Sequence, residues 1–331
     1  MPDPRLDVLC IGNAIVDVIA NAGDDFLAAE ALVKGSMRLI DAEEAERLYA
    51  HMGPAHQVSG GSAGNTAAGV AALGGRAGFI GQVAPDQLGE FYRHDLTSTG
   101  VEFVTPAAEV GQPTARSMIL VTPDGHRTMN TFLGAAQHLP KSALDEAQIR
   151  GAAILYLEGY LWDPETPRYA MVRAIEIARD AGRKVAFTLS DTFCVDRHRD
   201  SFNDLIDSGR IDILFANQAE IEALAGVPHL ETAVAAVAGK VDTLVVTRSE
   251  DGALATRAGE RADVPAEPIR ALVDTTGAGD LFAAGFLLGT ARGKTLEQSL
   301  RLGAIAAAEV IQHYGARPEA NLRALAGELA G

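Results

Sequence analysis

The sequence Asp-Thr-Thr-Gly-Ala-Gly-Asp at residues 274–280 runs directly into the apolar stretch Leu-Phe-Ala-Ala-Gly-Phe-Leu-Leu-Gly at residues 281–289. Glycines at the entrance to an apolar helix let the backbone approach a ligand closely and adopt positive φ values. The amide groups from Gly277 to Asp280 would point outward at a helix N-terminus, where free N–H groups and the helix dipole attract anions. The pattern predicts an anion-binding loop.

Asp280 places a carboxylate inside this predicted anion site. A negative charge repels a bound phosphate, so its position needs another explanation. A general base that accepts a hydroxyl proton, while the amides hold a transferring phosphoryl group, would belong there. An aspartate that caps a helix after a glycine-rich turn is the structural alternative, and the residues alone leave both interpretations open.

Outward from this stretch, short apolar segments alternate with helical ones, most regularly from residue 152 onward. Repeated strand–helix units predict an α/β protein with a mostly parallel sheet covered by helices on both faces. Two non-helical islands, about residues 13–41 and 102–133, interrupt the pattern, and the second holds turn chemistry at residues 123–125. The islands predict a small second sheet within one domain of residues 1–331.

Two helix starts are predicted from local chemistry in the second half of the chain. Asp163 and Pro164 are expected to be the N-cap and the first residue of a helix that ends at Gly182. A shorter helix is expected at residues 201–207.

The chain of 331 residues is acidic, with 28 Lys plus Arg and 44 Asp plus Glu, so its formal net charge is 28 − 44 = −16. This balance argues against a nucleic-acid polymer or an anionic membrane as partner, because both need a basic surface. A small anionic ligand responds to local charges and is not excluded. No apolar run approaches the ~20 residues that span a bilayer, and the start MPDPRLDVLC lacks the features of a secretory signal.

Cysteine and histidine usage favours neither a disulfide framework nor a zinc site. The cysteines are Cys10 and Cys194, with no CxxC pair, and the 8 histidines show no metal-ligand spacing. Both thiols are expected to be small buried groups. A reduced, cytoplasmic protein is therefore expected.

Three sequence blocks together resemble one protein family. Residues 274–280 with the following helix resemble the C-terminal signature of the ribokinase-like (PfkB-type) kinases of sugars and nucleosides. The block SGGSAGNTAAGVAALGG at residues 59–75 resembles their N-terminal signature, and residues 217–220 resemble their Asn-x-x-Glu element. The resemblance extends from residues 12–17 to residues 313–317. It implies a three-layer α/β/α fold in which the two islands form a β-sheet lid over the substrate.

The resemblance also implies roles at the anion-binding loop. Asp280 would be the catalytic base that deprotonates the acceptor hydroxyl. The amides of Gly277, Ala278 and Gly279 would hold the transferring γ-phosphoryl group, and Arg127 would reach the phosphates from the lid. Phosphoryl transfer depends mainly on positioning and charge neutralisation, so these residues are chemically sufficient.

ATP and Mg²⁺ are the cofactors that the resemblance implies. Asn217 and Glu220 would organise Mg²⁺, mainly through water, and Thr247 would lie at the nucleotide. Without the resemblance, Asn217 and Glu220 are simply a polar pair one helical turn apart. K⁺ is a further option in this family. Its carriers would be Asp274, Thr276 and the loop at Gly315.

The acceptor site is implied in the same way. The residues expected to bind the acceptor are Asn13, Asp17, Gly61, Asn65 and Tyr160, with Trp162 as a second candidate for an aromatic shelf. Residues 126–139 resemble the corresponding region of the family's adenosine kinases more than that of its ribokinases. Residues 62–63 are Ser-Ala where ribokinase-type sugar kinases have Lys-Gly, which favours a nucleoside over free ribose. Residues 60–64 also match the G-x-S-x-G elbow of hydrolases, but that interpretation leaves residues 274–280 unexplained.

The expected function is transfer of the γ-phosphoryl group of Mg-ATP to the 5′-hydroxyl of a nucleoside, adenosine above all. The alternatives are a sugar kinase of the same family, acting on ribose, fructose or a 2-keto-3-deoxy sugar acid, and a non-catalytic nucleotide-binding regulator. Small molecules are the expected partners, and the oligomeric state is open between a monomer and a homodimer paired through the lid.

Overall fold

A computed structural model describes residues 4–331 of the chain as two β-sheets and their covering helices. Residues 1–3, which begin the N-terminal stretch considered above, lie outside the described residues. The larger sheet has the strand order β13 (Glu260–Val264), β12 (Ala253–Arg257), β11 (Thr243–Thr247), β10 (Ile213–Asn217), β9 (Lys184–Thr188), β8 (Ala152–Glu158), β1 (Leu6–Ile11) and β5 (Ala77–Ile80).

The six strands from β11 to β5 are parallel, and β12 and β13 are added antiparallel at one edge. The helices, in chain order, are α1 (Asp24–Ala29), α2 (Ala42–His51), α3 (Ser62–Ala72), α4 (Gln87–Ser98), α5 (Glu146–Arg150), α6 (Glu165–Asp180), α7 (Thr192–Asp207), α8 (Gln218–Ala225), α9 (Leu230–Val237), α10 (Ala278–Ala291), α11 (Leu296–Val310) and α12 (Leu322–Ala326). Short 3-10 turns lie at Gly134–His138, Lys141–Ala143, Gly159–Trp162, Ser249–Asp251 and Gly327–Ala330.

Strand β1 shows why the sheet is the middle of three layers. All six of its residues are buried, as expected for a parallel strand covered on both faces. Val8 and Cys10 pack into the core formed with α3, α10 and α11, whereas Leu9 and Ile11 pack into the core formed with α6 to α9. The predicted α/β/α fold is confirmed.

The smaller sheet, called the lid below, has the strand order β3 (Met37–Leu39), β7 (Arg127–Phe132), β6 (Ala115–Val121), β2 (Ile15–Asn21) and β4 (Ala55–Gly60). Strand β4 lies outside the two segments predicted to build this sheet, and α1 lies inside the first of them. Helices α2 and α4 cover the outer face of the lid, where Leu48 packs with Met118. Because side chains alternate along β2, the buried Val16 and Val18 point outward while Asp17 lies on the inner face.

Two of the predicted helix starts differ from the structure. The N-cap of α6 is Pro164, with an extended ψ of 140°, and the helix begins one residue later than expected. The Asp163 carboxylate instead accepts hydrogen bonds from Arg197 and His198. The helix expected at residues 201–207 begins earlier, at Thr192, where the side chain of Asp191 caps it. A kink at His198 joins this first piece to the expected one.

Cys10 and Cys194 are both buried free thiols, as the sequence predicts. Within residues 4–331, no helix is both long enough and apolar enough to cross a membrane.

Candidate active site

Polar side chains collect at the carboxyl ends of the parallel strands. Glu158 ends β8, Asn217 ends β10 and Thr247 ends β11, while Asn13 lies two residues after the end of β1. Asn217 and Thr247 are paired in register, so they lie side by side. In open α/β sheets, ligands bind in the crevice outside these strand ends.

The predicted anion-binding loop enters α10 through a left-handed glycine. Gly277 is the N-cap, with φ 79°. A Cβ atom at this position would lie 2.6 Å from the Cβ of Ala316, so both the backbone conformation and the close packing require glycine.

The first amides of α10 differ in their availability. The N–H of Ala278 donates to the carbonyl of Thr275 at 3.2 Å and is already used. The N–H groups of Gly279 and Asp280 belong to the first helical turn, where intrahelical acceptors are absent. A Cβ atom on Gly279 would meet no atom within 4 Å, so the backbone borders open space. These two amides are available to bind an anion. Of the predicted Gly277, Ala278 and Gly279, the amide of Ala278 is already used, and the roles of Gly277 and Gly279 stay predictions.

Asp280 is held by two side chains from α3. The hydroxyl of Ser62 donates to Oδ1 at 2.6 Å, and Nδ2 of Asn65 donates to Oδ2 at 3.0 Å. Burial raises the pKa of Asp280, whereas these two hydrogen bonds and the positive charge of Arg317 lower it. Donors to the ionised form favour a carboxylate that can accept a proton.

Asp17 faces the same site from the lid. Burial raises its pKa to about 7, the charges of Arg127 and Arg317 lower it, and the charge of Asp280 raises it. A Cβ atom on Gly60 would lie 2.3 Å from Oδ2 of Asp17. The backbone of the glycine segment therefore lies directly against this carboxylate.

Gly61 joins the lid to α3, where it is the N-cap with φ 87° and ψ 137°. A Cβ atom on it would lie 2.1 Å from the carbonyl oxygen of Asn13. Asn65 follows in the first turns of α3 and is buried. The structure thus brings the predicted acceptor residues Asn13, Asp17, Gly61 and Asn65 together around Asp280.

Glu158 is a site residue that sequence reasoning missed. Its buried carboxylate accepts the N–H of Asn13 at 2.7 Å, Nδ2 of Asn13 at 2.7 Å and the N–H of Ala63 at 2.8 Å. It therefore ties the turn after β1 to the start of α3. Burial raises its pKa to about 7. The available signal was an acidic residue at the end of an otherwise apolar strand.

The free energy of unfolding is expected to fall as the pH rises from about 4 to about 7. Burial raises the pKa of Asp17, Glu158 and Glu220 to about 7 in the folded protein. Between their ordinary values near ~4 and this value, the unfolded chain has released protons that the folded protein still holds. Thermal melts measure this slope, and Glu158→Gln, which has no proton to lose, is expected to flatten it. An equally steep slope in the variant would contradict the prediction.

Asn217 and Glu220 form a capping box at the start of α8. The Glu220 carboxylate accepts the N–H of Asn217 at 2.9 Å and its Nδ2 at 2.5 Å, and the Asn217 side chain accepts the N–H of Glu220 at 2.9 Å. The pair is therefore structural as well as a candidate for the cation. Among the described residues 4–331, no group of three or more His, Cys, Asp or Glu side chains could hold a metal ion. A single carboxylate with water and phosphate oxygens is, however, a usual environment for Mg²⁺.

Arg127 reaches from the lid to Asp274. Its guanidinium group pairs with the Asp274 carboxylate and donates to Oγ1 of Thr276 at 3.0 Å. Asp274 also accepts the N–H of Thr276 at 3.0 Å and the N–H of Gly315 at 2.9 Å. The predicted carriers of K⁺ therefore meet in the structure, where the Asp274 carboxylate takes donors at both oxygens. The binding of K⁺ stays a prediction. The contact of Arg127 with phosphate stays a prediction.

The two aromatic candidates lie in different environments. Trp162 is 2% exposed, donates from Nε1 to Oγ of Ser201 at 2.9 Å and packs edge-on against Phe187, so its prediction as a shelf is wrong. The turn after β8 places it beneath α6 and α7 as a core residue. Tyr160 is 37% exposed, and its hydroxyl donates to the carbonyl of Ser190 at 3.1 Å.

Comparison with known proteins places the chain in a family. The chain matches the pfkB family of carbohydrate kinases over residues 6–322. A probable sugar kinase from Rhizobium etli CFN 42 is 49% identical, with 98% of each chain covered and a TM-score of 0.91. An adenosine kinase from Sinorhizobium meliloti is 49% identical, with 97% of this chain and 98% of that chain covered and a TM-score of 0.90.

A more distant relative is the adenosine kinase of Saccharomyces cerevisiae, which is 26% identical over 93% of this chain and 95% of its own length. The family match includes the strand ends, the glycine segment and the start of α10. The chain therefore belongs to the pfkB family of carbohydrate kinases and is a phosphotransferase that acts on an alcohol group.

Proposed function

We propose that this protein is an ATP-dependent kinase that phosphorylates the 5′-hydroxyl of adenosine and so forms AMP. The observation that carries this proposal is the inner face of the lid, where the carboxylate of Asp17 shares one surface with an exposed apolar edge. The 49% sequence identity with an adenosine kinase, which covers 97% of this chain, supports it.

One row of residues crosses the inner face of the lid. Asp17 pairs with Ser117, which pairs with Thr131, which in turn pairs with Leu39 at the edge. Residues paired in register lie on the same face of a sheet. Since neighbouring strands are ~4.8 Å apart, the row is about 14 Å long from Asp17 to Leu39.

The far end of this row is apolar and open. Leu39 is 60% exposed and Met37, on the same strand and face, is 56% exposed. Leu39 and Thr131 also line a cleft of about 500 Å³ together with Leu133. A single sugar bound near Asp17 would leave the apolar edge at Leu39 uncovered, whereas the base of a nucleoside could cover it. A nucleoside therefore fits the face better than a single sugar.

The chemistry follows from the contacts of Asp280. Ser62 and Asn65 orient its carboxylate so that it can accept the proton of the acceptor hydroxyl. The first-turn amides of Gly279 and Asp280 would hold the transferring phosphoryl group and stabilise its charge. Arg127 would add a positive charge from the lid once it exchanges Asp274 for phosphate.

Asn217, Glu220 and Thr247 would face the nucleotide. ATP carries Mg²⁺ on its phosphates, and Glu220 would hold that ion through water, as a single carboxylate commonly does. When bound, the ion neutralises charge on the phosphates. Asn217 keeps Glu220 in place through the capping box.

The proposal is tested by ADP release with a panel of acceptors: adenosine, other nucleosides, ribose, fructose and a 2-keto-3-deoxy sugar acid. We expect kcat/KM for adenosine to exceed that for any sugar by about a hundredfold or more, since each apolar contact is worth ~1–3 kcal/mol. Leu39→Ser is expected to raise the KM for adenosine by about tenfold. The matched control is Leu325→Ser, because Leu325 is 55% exposed on α12.

A sugar kinase is the second candidate, because a relative of the same identity is named a probable sugar kinase. Turnover with ribose or fructose but not with adenosine would establish it and overturn the first candidate. A non-catalytic regulator would bind ATP and release no ADP with any acceptor. The oriented carboxylate of Asp280 argues against it, since nucleotide binding alone does not need a base.

A further inference from the structure

Arg317 is a cation that the proposed function does not use, although it lies in the segment that borders the site. This segment follows α11, and its three residues contact different parts of the site. Gly315 donates its N–H to Asp274, and Ala316 packs against Gly277. Arg317 points to the other side, toward the glycine segment that joins the lid to α3.

The Arg317 guanidinium group donates hydrogen bonds to both ends of the glycine segment, which runs from Ser59 to Gly64. Nε donates to the carbonyl of Ser59 at 3.1 Å, and a second nitrogen donates to Oγ of Ser59 at 2.9 Å. The remaining nitrogen donates to the carbonyl of Gly64 at 3.1 Å. Ser59 is the penultimate residue of β4 in the lid, and Gly64 lies in the first turn of α3. One side chain therefore fixes the geometry of Gly61 from both directions.

Two further hydrogen bonds hold the glycine segment in place. The N–H of Ser59 donates to Oδ2 of Asp95 at 2.8 Å, and the hydroxyl of Tyr92 donates to the carbonyl of Gly60 at 3.1 Å. Both partners come from α4. The charged and titratable groups that interact with Arg317 are Tyr92, Asp95, Asp17 and Asp280.

The charge of Arg317 acts on the acceptor carboxylates as well. It lowers the pKa of both Asp17 and Asp280. The charged and titratable groups that interact with Asp280 are Cys10, Asp17, Tyr156, Glu158, Tyr160 and Arg317. Among these six, Arg317 alone is a cationic side chain, so its charge is the one in this set that favours the ionised form of Asp280.

We propose that Arg317 is a positioning residue for the acceptor, which fixes the segment from Ser59 to Gly64 and adds a positive charge to the side of the site that holds Asp280. The inference rests on the proposed role of Asp280 as general base. It adds a residue from the C-terminal segment to a site otherwise built from strand ends and from the starts of α3 and α10.

The test compares Arg317→Met with Arg317→Lys, using whichever acceptor the wild-type protein phosphorylates. For Arg317→Met we expect a rise of about tenfold in the KM for the acceptor, with the KM for ATP changed by less than about twofold. The acid limb of kcat/KM should move up by about half a pH unit or more, since a positive charge is lost beside the base. Arg317→Lys should leave the acid limb at its wild-type position, because lysine keeps the positive charge. Its KM for the acceptor should lie between those of the wild-type protein and Arg317→Met, because lysine lacks the fork of donors.

The control is Arg93→Met. Arg93 is also a partly buried arginine that donates to two backbone carbonyls, those of Phe103 and Thr105. Its loss is expected to lower the melting temperature without moving the acid limb or the KM for the acceptor. An unmoved acid limb in Arg317→Met, or an equal rise in both KM values, would overturn the proposal.

If Arg317→Met does not fold, Arg317→Lys decides alone: an unchanged KM for the acceptor overturns the proposal, and a rise of about threefold or more with an unmoved acid limb supports it. Failure of the proposed function is read separately, from the wild-type acceptor panel and from Asp280→Asn.

Discussion

Replacing Asp280 with asparagine is expected to lower kcat by about a thousandfold, with less than about a threefold change in ATP binding. Asparagine has nearly the shape of aspartate but cannot accept the proton that the acceptor hydroxyl must lose. Ser62 and Asn65 already orient the carboxylate, so the loss falls on the proton transfer. ADP release measures kcat, and titration calorimetry with ATP measures nucleotide binding.

Ser62→Ala is the matched control for that variant. It removes the 2.6 Å hydrogen bond to Asp280 but leaves the base in place. We expect a loss of about tenfold or less, the size of an orienting contact worth ~1 kcal/mol. A variant Asp280→Asn that kept a tenth of the wild-type kcat would rule out Asp280 as the general base.

Gly61→Ala is expected to lower kcat/KM for the acceptor by about a hundredfold and to lower the free energy of unfolding by about 2–4 kcal/mol. The backbone angles of Gly61, φ 87° and ψ 137°, belong to a region that residues with a Cβ atom rarely adopt. The new Cβ atom would also lie 2.1 Å from the carbonyl oxygen of Asn13, and a backbone atom cannot rotate away. Relief of this clash must move Asn13 or the start of α3, both of which border Asp280.

Gly209→Ala separates the backbone strain from the clash. Gly209 also has a positive φ, 64°, but a Cβ atom there would meet nothing within 4 Å. We expect it to cost about 1 kcal/mol of stability and to leave kcat/KM unchanged. Chemical denaturation and acceptor kinetics compare the two variants. Equal kinetics in both would mean that the Gly61 segment does not shape the acceptor site.

The parts of the fold that the sequence predicted are those with strong local patterns. The strand–helix alternation after residue 152 and the glycine-to-helix transition at Gly277 depend on neighbours in the chain, so short stretches carry the information. Strand β4 was missed because its sequence, Ala-His-Gln-Val-Ser-Gly, is mostly polar and exposed at its start. It is a strand because it pairs with β2 across the lid. The edge strands β12 and β13 were missed as well.

The missed site residues depend on long-range contacts. Glu158 meets Asn13 across 145 residues of sequence, and Arg317 meets Ser59 across 258. No local spacing encodes such a pairing, since it exists only once the sheet has assembled. Trp162 is the opposite case, a residue that was predicted for the site and lies outside it. Its position two residues after Tyr160 does not indicate that the turn after β8 buries its side chain in the core.

The lid carries Asp17 on its inner face, whereas Asn65 and Asp280 belong to helices on the central sheet. The proposed partners of the acceptor are therefore divided between two parts of the molecule. Under the proposed function, an outward movement of the lid would take Asp17 away from Asp280, so the acceptor site would be complete only with the lid closed. Water that entered an open cleft would then meet a site without its full set of acceptor contacts. The division of the site would by itself limit hydrolysis of the nucleotide, without a residue devoted to that task.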